Sequence, residues 1–263
     1  MTRTAARPAR MPPLPPRPGW ARLAVTAAAV AATWFNMWVS FGPLRDPSRI
    51  QGEAMRGFGR ESVFYTMHGN VAAAVYAALA AALAGAEAAG LAPPPPPPGG
   101  ATAVSGWTAV ASVVYGAGAV VLTAVTLVVG LGYYVLIHFH PAVRLRAAAE
   151  PDFDLIMGCL HVIPVVAMSA LVATHPPARL AAHAVSVRTA VGVLVAHGVA
   201  YAVWSAVCVS VNGGHWPYPF QVGLSLGGHL AIDGMVMAVG CAACAGVAGA
   251  VRRRAGGGRV KAA

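Results

Sequence analysis

Six stretches of the chain, at roughly 22–42, 62–86, 108–137, 155–175, 188–211 and 223–250, are nearly free of charge. Each reaches the ~20 residues that a helix needs to cross the hydrocarbon core of a bilayer. No water solvates the backbone there, so only helices and closed barrels can span it. The short alternating segments of a barrel are missing. The predicted fold is therefore all-α, a polytopic membrane protein with six transmembrane helices in one bundle. Composition agrees: 57% of residues are hydrophobic and 10% charged, with a mean hydropathy of +0.64, too apolar for a water-soluble domain of this length.

The segments outside these runs divide the chain. Residues 1–21 form an Arg- and Pro-rich tail expected to be disordered, 22–251 the transmembrane domain, and 252–263 a basic tail. The run from Leu23 to Phe41 is too long for a signal-peptide core, so it is read as the first span. Pro93–Pro98 with Gly99 and Gly100 cannot continue a helix and reads as an extended linker at 93–100.

The net charge of +10 does not point to nucleic acid. The arginines sit in tails and loops, not along one face, which is how charge marks membrane topology. With six spans and basic residues in both tails, both termini are expected in the cytoplasm. The partners this implies are membrane lipids.

Polar residues inside the spans carry the functional signal, because bilayer tolerates them only where they face protein or water. Thr66 in Phe64-Tyr65-Thr66-Met67-His68-Gly69-Asn70 lies about five residues into the second run, and His161 about six into the fourth. Both runs cross in the same direction, so each residue sits ~8–9 Å below one surface. Trp204 and Tyr201 in the fifth span come to the same level, and Trp216 and Tyr218 cap it from Gly213-Gly214-His215-Trp216-Pro217-Tyr218-Pro219-Phe220. Asp233 is placed facing inward from the sixth span. The opposite end reads as plain Ala, Val and Leu. Pro164 removes the hydrogen bond to the Leu160 carbonyl and predicts a kink beside His161.

The segment with Thr66 and Asn70, Leu160-His161 with Pro164, and Tyr201-x-x-Trp204 leading to Trp216-Pro217-Tyr218-Pro219-Phe220 resemble the androgen-induced family of six-helix membrane hydrolases and its bacterial relatives. The resemblance covers about 60–250. It implies a threonine-type hydrolase of fatty acid esters of hydroxy fatty acids or similar lipid esters, without a cofactor, with Thr66 as nucleophile and His161 as its partner. Neutral imidazole is suited to take the hydroxyl proton near pH 7. Asn70, four residues after Thr66, and Tyr201 offer oxyanion donors, and Trp204, Trp216, Tyr218 and Asp233 complete the expected substrate-binding set.

Two other readings compete. His138, His140, His161, His215, His229 and Asp233 supply enough donors for a metal ion, though in no known metal spacing. A lipid-binding protein without catalysis is the other. Cys159, Cys208, Cys241 and Cys244 all fall within spans and read as small packing residues.

Overall fold

The computed structural model describes residues 19–41, 58, 64–92, 106–150 and 152–257, and among these there are helices and no strands. Eight α-helical stretches follow one another: α1 (Trp20–Phe41), α2 (Tyr65–Ala88), α3 (Gly106–Ile137), α4 (Pro141–Ala149), α5 (Phe153–Thr174), α6 (Pro177–Ala182), α7 (Val187–Val211) and α8 (Leu226–Gly257). Five of them, α2, α3, α5, α7 and α8, are long and apolar enough to cross a membrane. α1, where the first of the six expected spans was placed, is a helix of 22 residues that is not among these five. The polyproline run and the arginines of the first loop lie outside the described residues.

Large apolar side chains stand exposed all round the bundle, among them Val135 at 74%, Leu230 at 64% and Leu131 and Val166 at 60%. Water would penalise such a surface, whereas lipid does not, so the molecule is an integral membrane protein. Inside, α2 is the central strut and touches α1, α3 and α5. Its Ala73, Ala77, Ala80 and Ala84 are almost fully buried. Small residues let helix backbones approach in a bilayer, where dispersion contacts rather than water expulsion hold helices together.

α3 is interrupted by two π-helical turns, Val113–Ala117 and Tyr133–Ile137. Such turns rotate the side chains that follow and cluster at functional sites. By contrast α5 remains one continuous helix through Pro164.

The end of the bundle expected to be plain is strongly polar. Glu87, near the end of α2, accepts from Arg22 Nη1 of α1 at 2.7 Å and Arg179 Nε of α6 at 3.1 Å. Tyr115 of the first π turn donates to the same carboxylate at 2.9 Å. Beside it Tyr76 donates to the Val114 carbonyl at 2.6 Å, and its oxygen meets His175 Nε2 at 2.8 Å. Arg22 therefore belongs to the bundle rather than the tail, and α8 continues through Arg252–Arg254, with Arg254 donating to the Val172 carbonyl. Sequence separation concealed this cluster: Arg22 and Glu87 are 65 positions apart, and each alone looks like a charge at the rim of a span.

Removing one partner of a buried ion pair leaves the others uncompensated, which costs about 3–5 kcal/mol. Glu87→Ala is therefore expected to lower the thermal midpoint of the detergent-solubilised protein by more than Tyr115→Phe, which removes the hydrogen bonds from Arg22 and to Glu87 but leaves both ion pairs of Glu87 intact. Equal midpoints for the two variants would show that Glu87 carries no such burden.

Candidate active site

The site is built where α2 begins and α3 closes on α5. Thr66 is the second residue of α2, and His161 lies two turns into α5. The approach of α3 requires Gly130. A Cβ there would stand 2.9 Å from the His161 carbonyl oxygen and 2.9 Å from Val165 Cγ2. With hydrogen in its place the helices meet backbone to backbone, and Tyr133, in the adjoining π turn, lies on the imidazole.

Thr66 Oγ1 is 3.3 Å from His161 Nε2, and both residues are buried. His161 Nδ1 is 2.7 Å from the carbonyl of Met157, one turn back on the same helix. A carbonyl only accepts, so Nδ1 carries the proton and Nε2 presents its lone pair to the threonine hydroxyl. The Tyr133 ring stacks on the imidazole at 3.9 Å between centroids and 16° between planes, fixing its rotation. The orienting group is thus a backbone carbonyl plus a ring face.

A loop returns over this pair after α7. Gly213, Gly214 and Gly223 have φ of +67°, +88° and +80°, a left-handed conformation that side chains resist. Those turns bring Tyr218 onto the start of α2, where the free Tyr65 N–H donates to its hydroxyl at 2.9 Å. Tyr201 and Thr66 lie beside Tyr218 in the same wall. Burial pushes the Tyr218 phenol up, so it keeps its proton at neutral pH.

These groups face a cavity of about 360 Å³. Tyr65, Thr66, His161, Tyr133, Tyr201, Tyr218, Gln221 and Asp233 supply its polar wall, and apolar residues and glycines, chiefly from α3, α7 and α8, supply the rest. Asp233 lies at its exposed side, beside Gly234 and Leu230.

Not every residue expected here reaches the cavity. Asn70 is 2% exposed and outside the lining, buried within the bundle instead. Trp204 turns instead to Phe58, with ring centroids 5.5 Å apart. Trp216 stacks on His229 at 3.8 Å and stiffens the loop from behind. The metal alternative finds no donor set: among the described residues no three His, Cys, Asp or Glu side chains come together. Sequence reasoning missed Tyr133, Gly130 and the Met157 carbonyl. Only the last had a readable signal, since it stands four residues before His161 on one helix.

The fold and the site together define a polytopic helical membrane protein with a threonine–histidine pair in an intramembrane cavity. A family model described as FAR-17a/AIG1-like protein matches residues 25–247, and the chain belongs to that family, the androgen-induced gene 1 family. No curated protein and no solved structure matches the chain.

The two glycines flanking this contact offer a direct comparison. Gly130→Ala forces a methyl against the His161 carbonyl and is expected to cost about 1–3 kcal/mol through overpacking. A Cβ at Gly132 meets nothing within 4 Å, so Gly132→Ala should leave the thermal midpoint near wild type. A neutral Gly130→Ala would refute the close-approach argument.

Proposed function

We propose that the protein is a membrane-embedded hydrolase of lipid esters in which Thr66 is the nucleophile and His161 the general base. The observation that carries this reading is the 3.3 Å contact between Thr66 Oγ1 and an Nε2 whose lone pair is left free by the Met157 carbonyl. A hydroxyl is a weak nucleophile until a positioned base takes its proton, and free-state contacts of this kind tighten once substrate is bound.

In the proposed reaction Thr66 Oγ1 attacks the ester carbonyl while its proton passes to His161 Nε2. The imidazolium holds its second proton on the Met157 carbonyl. It then protonates the departing alkoxide, leaving an acyl-threonine and a free alcohol. Water, deprotonated by the same nitrogen, attacks the acyl-threonine; the acyl–Oγ1 bond breaks, the proton returns from Nε2 to Oγ1, and the free fatty acid leaves. The developing oxyanion needs a donor. Tyr218 fits this role better than Asn70, because its hydroxyl already accepts from the Tyr65 N–H and is polarised to give up its own proton to a ligand. Substrate reaches Thr66 laterally, past the exposed Leu230 and Gly234.

In this reading α1 completes a bundle of six spans, and both termini are cytoplasmic. Single cysteines placed in the 213–219 loop should then react with an impermeant thiol reagent from outside the compartment, while those placed at 93–98 should not. The reverse pattern would invert the orientation.

The catalytic test uses purified protein and a lipid ester. Thr66→Ala and His161→Ala should each abolish hydrolysis, with the double variant scarcely worse than either, because nucleophile and base act as one unit. Thr66→Ser should retain part of the rate, and Tyr218→Phe should lose ~10²–10³-fold, as for one oxyanion donor. A folded Thr66→Ala protein that cleaves the ester at the wild-type rate would end this reading and favour the non-catalytic lipid binder.

A further inference from the structure

Away from Tyr218 the cavity continues as a slot lined by apolar residues. Three helices give the length of this lining independently. Tyr201 and Leu194 on α7, Asp233 and Gly240 on α8, and Gly132 and Val125 on α3 all line the cavity, and each pair is seven residues apart. Seven residues are ~10 Å of helical rise.

The floor is closed by contact. Leu194 Cδ2 lies 3.3 Å, and Val128 Cγ2 4.0 Å, from the point where a Cβ on Gly240 would stand. Leu194 and Val125 are buried at 3% and 2% exposure. Midway down, Met237 lies so flat on Gly198 that any Cβ there would collide with its Cε. No lining residue below Asp233 carries charge, so this part of the cavity holds hydrocarbon and nothing polar.

We propose that this slot is an acyl-chain ruler, with Leu194, Gly240 and Met237 restricting the substrate to esters whose acyl arm is about eight carbons long. The inference rests on the hydrolase reading of Thr66 and His161. An extended chain advances ~1.2 Å per bond, by the same geometry that gives ~3.3–3.6 Å per three-bond residue, so ~10 Å accommodates about eight bonds. The acyl arm occupies the closed end because it remains bound to Thr66 after the first step, whereas the alcohol must leave through the open side at Leu230, Asp233 and Gly234. The alcohol part is therefore unrestricted in length, and the acyl part is not.

The experiment compares esters of one alcohol with acyl chains of four to sixteen carbons, using the protein in phosphatidylcholine nanodiscs. For wild type, kcat/KM is expected to peak near eight carbons and to fall at least ~10-fold by sixteen, since each methylene forced against a packed wall is discriminated by ~10-fold or more. Gly240→Leu should move the peak to shorter chains, and Leu194→Ala, which deepens the floor, to longer ones. A wild-type rate that rises through sixteen carbons, or a Gly240→Leu profile lowered equally at every length, would overturn the proposal. Methyl alkyl ketones, which carry the carbonyl but cannot be cleaved, separate the two readings when their binding to Thr66→Ala protein is measured. An affinity peak near eight carbons that shifts with Gly240→Leu supports the ruler even if no ester is hydrolysed. Affinity that increases without a break refutes it even if hydrolysis is found.

Discussion

The close approach of α3 to α5 at Gly130 is the contact on which the site depends. A single hydrogen in place of a methyl lets the α3 backbone rest against the His161 carbonyl. Tyr133 can then stack on the imidazole from its π turn, and the valine face of α3 forms one wall of the cavity. In water such an interface would be sustained by expelled solvent. In lipid it must be sustained by the number of atoms in contact, so one added carbon changes more than its size suggests.

The imidazole is oriented without a carboxylate. Asp233, the charged group on the cavity wall, stands at the exposed side, and Met157 O takes the Nδ1 proton. The substitution is physically reasonable at this depth. A buried carboxylate in a low-dielectric setting is costly unless paired, whereas a helix carbonyl is already present and has a second lone pair to offer. The same economy applies at the start of α2, where backbone N–H groups left unpaired by helix geometry meet the Tyr218 hydroxyl.

α2 joins two unlike ends. Thr66 and Glu87 are 21 residues apart, which is ~32 Å of helix and close to the hydrocarbon thickness of a bilayer. At one end the strut carries the nucleophile. At the other, Glu87 anchors α1, the first π turn of α3 and α6 through Arg22, Tyr115 and Arg179. Charge buried at the far rim holds the helix ends in register, so the reactive end can remain mostly apolar and still be well positioned.

Much of this was legible in the sequence. The helical class, five of the apolar spans and the equal depth of Thr66 and His161 follow from run length and rise per residue, because in a bilayer backbone hydrogen bonding leaves few alternatives. The neighbourhood of Tyr201, Tyr218 and Asp233 followed from the same arithmetic. Depth, however, fixes one coordinate and leaves rotation about each helix axis open. That is why Asn70, Trp204 and Trp216, correctly ranked by height, lie outside the cavity wall, and why Arg22 and Glu87 gave no sign of pairing. Rotation and close approach are set by side-chain contacts between segments distant in sequence, at Gly130, Gly198 and Gly240 and in the two π turns of α3. Only the packed bundle decides them.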